Sequence, residues 1–249
     1  MKKRFPIRLA IELAYMIGLC ALEVTVSFPS TDAGLAALLF INMYHGFTSP
    51  KVMIDRYTRH INGVASRFSE ATNKLQQGEY ITEITAHSKL ISSASQVSTV
   101  FGLEILLVLS IESCLIVYNL YNFRPLLEDF QKDNKSTSIF IFISILWLIS
   151  WFSDVWHIIS TTEEMLNQSK SFNETLLRQI IEDPTAELDK QEKVKLHIAM
   201  KKEVIITAFG FFTIDGTFLH NLAAVATTYL VILTQFKGKG PSKTAVEME

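Results

Sequence analysis

The chain has 249 residues, a formal net charge of −2, and a composition in which 49% of residues are hydrophobic and only 19% are charged. Soluble domains carry about 25% charged residues, so this chain lacks the surface of an ordinary soluble protein. Its mean hydropathy of +0.25 is typical of a polytopic membrane protein. The balanced charge offers no basic stripe for nucleic acid. Two cysteines and six histidines show no disulfide framework or metal-ligand spacing, and no catalytic or cofactor motif is present, so we expect no enzyme.

Five apolar stretches are long enough to cross a bilayer as helices, which takes about 20 residues each. They are residues 9–28, 33–50, 101–123, 137–161 and 204–236. We therefore predict an all-α polytopic membrane protein in which residues 1–249 form a single membrane domain. Asp215-Gly216 interrupts the last stretch, which predicts one discontinuous helix or two short helices there. A cleaved signal peptide is disfavoured because the first stretch is long and contains Glu12 and Glu23.

Two polar regions between the stretches continue as amphipathic helices. Residues 51–100 and 162–203 carry apolar side chains at helical intervals with charges between them, and Gln77-Gly78 is typical of a turn. If the N-terminus lies inside, these regions and the N-terminal segment place 17 of the 23 lysines and arginines on the cytoplasmic side. The positive-inside rule therefore predicts a cytoplasmic N-terminus and an extracellular C-terminus.

The fourth stretch contains a candidate ligand-binding face. Trp147, Trp151 and Asp154 follow each other at i, i+4 and i+7, so they share one side of a helix. Aromatic faces beside a carboxylate can hold a sugar or, through cation–π contact, a cationic alkaloid. Glu112 and Tyr118 on the preceding stretch are candidates to complete the pocket. The alternative is that the tryptophans only pack against neighbouring helices or anchor the interface.

The last stretch ends with a recognisable motif. It contains Thr228-Tyr229, five mostly apolar residues, and then Gln235-Phe236. This pattern resembles the C-terminal signature of insect gustatory receptors, and the resemblance extends over roughly residues 50–236. Three further segments are similar to motifs of that family, although the asparagine-to-leucine spacing in the first is one residue shorter: Arg67–Leu75, His87–Leu90 and Gly210–Asp215.

The resemblance implies a gustatory chemoreceptor in the plasma membrane. Members of the family resemble tetrameric, ligand-gated, nonselective cation channels whose seven-helix subunits each contribute the last helix to a central pore, while the tastant binds among the earlier helices. The two first helices of that pattern have no counterpart here, so we interpret the chain as a fragment or a short isoform. The motif does not distinguish sugar from bitter receptors, or homomeric from heteromeric assembly.

Residues on the last stretch then become candidates for the pore. Thr228, Val231 and Gln235 lie at i, i+3 and i+7 and share a face. We predict that this stripe lines the pore, with Gln235 forming a ring near the outer mouth and Phe236 sealing it. The alternative is that Gln235 only makes hydrogen bonds between helices. At the break, Asp215 is expected to cap the following helix rather than to attract permeant cations.

Two other functions stay open on the sequence. A truncated, non-conducting membrane subunit could assemble with full-length receptors and modulate them. A small transporter would show interrupted helices in both halves of the chain, whereas only one interruption is found. We therefore rank the transporter last. For the chemoreceptor, the expected partners are membrane lipids, a small-molecule tastant and other receptor subunits in a homo- or hetero-tetramer.

Overall fold

The computed structural model describes residues 7–27, 33–130, 135–182, 190–200 and 203–237. This part of the chain is almost entirely helical, as predicted for an all-α membrane protein. Its elements, in chain order, are α1 (Ile7–Ser27), α2 (Ala33–Gln76), α3 (Tyr80–Phe130), α4 (Lys135–Glu182), α5 (Glu192–Met200), β1 (Thr207–Ala208), β2 (Phe212–Thr213) and α6 (Gly216–Lys237).

Three helices are much longer than a bilayer is thick. The helices α2, α3 and α4 contain 44, 51 and 48 residues. At 1.5 Å per residue they extend over roughly 66–77 Å, whereas the hydrocarbon core measures about 30 Å. Each helix therefore continues far beyond any segment that crosses the membrane, in agreement with the predicted helical extensions.

Hydropathy and length single out the helices able to span a membrane. Among the described residues these are Leu9–Ser27, Tyr80–Phe123 and Ser138–Glu182, and Gly216–Ile232 is a shorter apolar helix. This supports a polytopic membrane protein. The predicted crossing 33–50 lies in α2, which is not among the helices selected by length and hydropathy. That crossing therefore stays a prediction.

The turn predicted at Gln77-Gly78 is present and ends α2. Gly78 adopts a φ of 97°, in the left-handed region that glycine tolerates. Its amide donates to the carbonyl of Leu75 at 3.1 Å, and the Glu79 amide donates to the carbonyl of Lys74 at 3.3 Å. These two bonds form a Schellman motif, which satisfies the last carbonyls of the helix. The chain then reverses and α3 runs back along α2.

The expectation of helix between residues 204 and 214 is wrong. Strands β1 and β2 pair antiparallel here, with Thr207 opposite Thr213 and Ala208 opposite Phe212. Phe209, at the turn, has a φ of 51°, which a right-handed helix cannot contain. The run 204–207 is Val-Ile-Ile-Thr, and such β-branched residues favour strands. The break itself is where the sequence indicated, because α6 begins at Gly216.

Two apolar cores hold the bundle together. The larger core joins α1, α2, α3, α4 and the hairpin, and its fully buried members include Ile61, Leu109 and Ile158. The smaller core lies in the helical extensions and includes Leu75, Phe172 and Val194 of α5. The extensions therefore form a packed unit with their own interior, to which α5 is attached.

A buried histidine lies in the smaller core. His87 is completely inaccessible to solvent, and its ring stacks on Phe172 with the centroids 4.0 Å apart and the planes 9° from parallel. Its Nε2 lies 3.4 Å from the carbonyl oxygen of Ser169. The ring of His197 on α5 meets it edge-on at 5.2 Å. His87 lies about 14 residues, or roughly 20 Å of helix, before the predicted crossing 101–123.

Candidate functional site

The two tryptophans of the predicted ligand-binding face lie on one buried side of α4. Trp147 and Trp151 are 3% and 6% exposed, and their rings stack with the centroids 5.5 Å apart. Phe47 of α2 covers Trp147 at 4.4 Å. The indole Nε1 of Trp147 donates to Oε2 of Glu23 on α1 at 2.6 Å. The aromatic face is therefore filled by protein side chains from α1 and α2 in this structure.

Asp154, the third member of that face, has a partner that the sequence analysis missed. The Nζ of Lys51 lies 2.5 Å from Oδ2 of Asp154 and 3.0 Å from Oγ of Ser150. Both members of the ion pair are buried, with side chains 7% and 5% exposed. Lys51 directly follows Pro50, at the start of the predicted polar extension, yet it is buried. Asp154 is thus neutralised within the protein.

The structure brings a second carboxylate to this ion pair. Glu112 of α3 is 4% exposed and lies close enough to Asp154 and Lys51 to interact with both charges. Its Oε2 makes no hydrogen bond with any described residue. Tyr118, by contrast, is 66% exposed and does not join the cluster. The assembled group is therefore Lys51, Asp154 and Glu112 beside the paired tryptophans.

The predicted pore stripe lies on the accessible surface of α6. Thr228, Val231 and Gln235 are all exposed in the single chain. The Thr228 hydroxyl donates to the carbonyl of Ala224 at 2.8 Å, within the helix. Tyr229 is also exposed, at 56%. Phe236 belongs to α6, but its side chain is not among those that the structure describes. An accessible polar stripe on a membrane helix needs water or another subunit.

The beginning of α6 is capped from two directions. Oδ1 of Asp215 accepts a hydrogen bond from the Thr217 amide at 2.9 Å, the capping role expected from the sequence. Oε1 of Glu163 on α4 accepts a hydrogen bond from the Gly216 amide at 2.8 Å. Carboxylates are favourable at a helix N-terminus, where amide groups lack partners within the helix. The hydrogen bond from Gly216 to Glu163 therefore joins the start of the last helix to α4.

The hairpin before α6 is fixed to α3. Oγ of Ser98 accepts a hydrogen bond from the Thr207 amide at 3.1 Å. Next to it, Gly102 allows very close approach, because a Cβ at this position would lie 2.8 Å from the backbone nitrogen of Phe209. Only glycine fits there without displacing the hairpin. Helices α3 and α4 thus hold the segment that leads into the last helix.

Comparison with known proteins finds a family model and several receptors that the chain matches. A family model described as 7tm Chemosensory receptor matches residues 11–239. Gustatory and pheromone receptor 39a, isoform D, of Drosophila melanogaster is 27% identical over 146 residues, which cover 58% of this chain and 38% of the relative. Putative gustatory receptor 28b of the same species is 23% identical over 159 residues, covering 63% of this chain and 34% of the relative.

A shorter match is more similar in sequence. Gustatory and pheromone receptor 32a of Drosophila melanogaster is 51% identical over 45 residues, which cover 18% of this chain and 10% of the relative. The matched part of the chain thus spans well under half of each of these relatives. The two longer matches cover more than half of this chain, but each covers less than two fifths of the relative.

Proposed function

Because the chain belongs to the 7tm chemosensory receptor family, we propose that it is a gustatory chemoreceptor subunit of a tetrameric, ligand-gated, nonselective cation channel in the plasma membrane. The observation that carries the proposal is the exposed stripe of Thr228, Val231 and Gln235 on α6. Four such helices facing a common axis would bury this stripe and line a pore with it. The N-terminus is cytoplasmic and the C-terminus extracellular in this proposal.

The alternation of polar and apolar groups on the stripe suits a gate. Thr228 and Gln235 present a hydroxyl and an amide, while Val231 between them is apolar. An apolar constriction excludes water when it is narrow, and polar rings on both sides let ions enter and leave it when it widens. Gln235 is neutral, which is compatible with a pore that passes cations without strong selectivity.

The contacts at the base of α6 supply a route for gating. Glu163 of α4 holds the Gly216 amide, and Ser98 of α3 holds the hairpin. A ligand that changes the separation of α3 and α4 therefore moves the point from which the last helix starts. We place the ligand against α4 at Trp147 and Trp151, where it has to displace Phe47 of α2 and the Glu23 carboxylate of α1 that cover this face. A neutral ring, such as a sugar, suits this face better than a cation because Lys51 already neutralises Asp154.

Current recordings test the channel. Cells expressing the chain should show cation current in response to sugars or bitter compounds, and Gln235→Ala should change its selectivity or its ligand sensitivity. The control is Leu230→Ala, which lies about 160° around the helix from Thr228 and truncates a half-buried side chain. Equal effects of the two substitutions, or unchanged current in Gln235→Ala, would contradict pore lining.

A second candidate function rests on the matched length, which is 38% or less of the three relatives described. In this alternative the chain is a subunit that does not conduct by itself and modulates longer receptors. Expression alone then yields protein at the cell surface without ligand-evoked current. Co-expression with a longer receptor changes that receptor's current, whereas a complete channel needs no companion.

A further inference from the structure

Several contacts place one level of the bundle at the inner end of the proposed membrane region. Tyr57 of α2 lies at this level, with its ring 6.0 Å from that of Phe101, the first residue of the apolar run of α3. Its hydroxyl is 2.7 Å from Oγ1 of Thr162, directly after the predicted crossing of α4. The neighbouring Glu163 caps the first residue of α6. Three helices thus leave or enter the apolar layer at the height of Tyr57.

A basic cavity opens at this same level. Arg56, Arg59 and His60 line a cavity of about 270 Å³. They occupy positions i, i+3 and i+4 of α2, so they share one face of the helix. The ring of His60 packs against Phe101 at 5.2 Å, which ties the cavity to the start of the apolar run. All three side chains are exposed in the chain.

The charges in the cavity are only partly compensated. An NH2 nitrogen of Arg59 lies 2.5 Å from Oδ2 of Asp55, one turn earlier on the same helix. Within the described residues no ion pair is found for Arg56. The guanidinium of Arg59 itself is largely accessible, since its side chain is 59% exposed. The cavity therefore keeps a net positive charge and two guanidinium groups that can turn toward a ligand.

We propose that this cavity binds the phosphorylated headgroup of an anionic phospholipid of the cytoplasmic leaflet. Guanidinium groups present paired N–H donors that match phosphate oxygens. The cytoplasmic leaflet carries a negative surface potential, and basic pockets beside membrane helices on that side bind phosphorylated headgroups. The volume is below the usual range for drug-sized ligands, which suits a headgroup whose acyl chains remain in the bilayer. The site rests on the proposed orientation and does not require that the chain conducts.

Binding of a short-chain phosphatidylinositol bisphosphate to the purified full chain in phosphatidylcholine nanodiscs tests the site without any current measurement. Arg56→Gln should weaken binding about fivefold, and Arg56→Gln with Arg59→Gln about 25-fold, from the usual contribution of one basic residue near an anionic surface. Asp55→Asn should strengthen binding severalfold, because it releases Arg59 from its ion pair. The matched control is Arg67→Gln, an exposed arginine on the same helix two to three turns farther from the membrane, which should leave binding unchanged.

Two further probes decide the source of the phosphate. Inorganic phosphate and soluble inositol trisphosphate should compete at least tenfold less well than the short-chain lipid, because the cavity adjoins the apolar layer. Soluble inositol trisphosphate binding as tightly as the lipid would overturn the lipid assignment in favour of a cytosolic phosphate. Equal losses in Arg56→Gln and Arg67→Gln would overturn the site itself. Variants are compared only if they elute as the parent does in size-exclusion chromatography.

Discussion

Replacing Lys51 by methionine removes the cation that neutralises Asp154 while keeping a side chain of similar length. The Nζ–Oδ2 distance of 2.5 Å and side-chain exposures of 7% and 5% identify this as a buried ion pair. Breaking such a pair by removing one partner costs about 3–5 kcal/mol, because the remaining charge stays buried without compensation.

The expected loss is large enough to measure by thermal melting. For chains of this size, 1 kcal/mol corresponds to about 2–4 °C in the melting midpoint, so Lys51→Met should melt roughly 10 °C below the parent. The assay is size-exclusion chromatography of detergent-solubilised protein after heating to a series of temperatures. The double variant Lys51→Met with Asp154→Leu should recover most of the loss, because replacing both charges by apolar groups removes the desolvation penalty as well.

An exposed ion pair provides the control for this prediction. Lys74 and Glu70 form an i,i+4 pair on α2 with side chains 43% and 64% exposed. Exposed pairs contribute little because water screens them, so Lys74→Met should melt with the parent. The reasoning is refuted if Lys51→Met also melts with the parent, or if the double variant melts as low as the single one.

Two more predictions concern the extensions and the base of α6. Burial, together with the neighbouring His197, lowers the pKa of His87 to about 4, so the folded chain keeps the imidazole neutral while the unfolded chain takes up a proton as the pH falls below about 6.5. The free energy of unfolding should therefore fall by about 1 kcal/mol between about pH 7.5 and pH 5.5. In His87→Phe the melting midpoint should change less with pH across this range. An equally steep pH dependence in this variant would contradict the role of His87. Glu163→Ala should lower the melting midpoint by a few degrees, because loss of an N-terminal cap costs about 1 kcal/mol. The exposed neighbour in Glu164→Ala should have no effect, and equal midpoints for the two variants would count against the cap at Gly216.

Local patterns predicted most of the helical architecture. The apolar stretches at 101–123 and 137–161, and residues 9–27 of the first stretch, fall within helices, because a run of about 20 apolar residues has few other stable arrangements in a membrane. The turn at Gln77-Gly78 was predictable because glycine ends helices in a recurrent way. The hairpin at 204–214 was not predicted from apolar length, which fits a helix equally well; the β-branched residues at 204–207 were the local signal that favoured a strand.

The candidate site shows the same division. The spacing of Trp147, Trp151 and Asp154 correctly placed them on one face, because helical periodicity is a local property. The contacts of that face were not predictable. Lys51 meets Asp154 across 103 positions of sequence, and Glu23 meets Trp147 across 124. Such pairs depend on how helices pack side by side, which no local pattern records.

The sequence by itself determined that this is an α-helical membrane protein of the chemosensory receptor type. The length of an apolar stretch and the Thr228–Phe236 motif are both local properties that consecutive residues define. Only the tertiary structure decided which buried charges neutralise each other and how the last helix is attached. Those outcomes depend on distances between α1, α2, α3 and α4, and a buried charge is stable only where a distant part of the chain supplies its partner. Arg56 and Arg59 can bind a ligand for the same reason: among the described residues, Asp55 is the one acidic side chain that forms an ion pair with either of them.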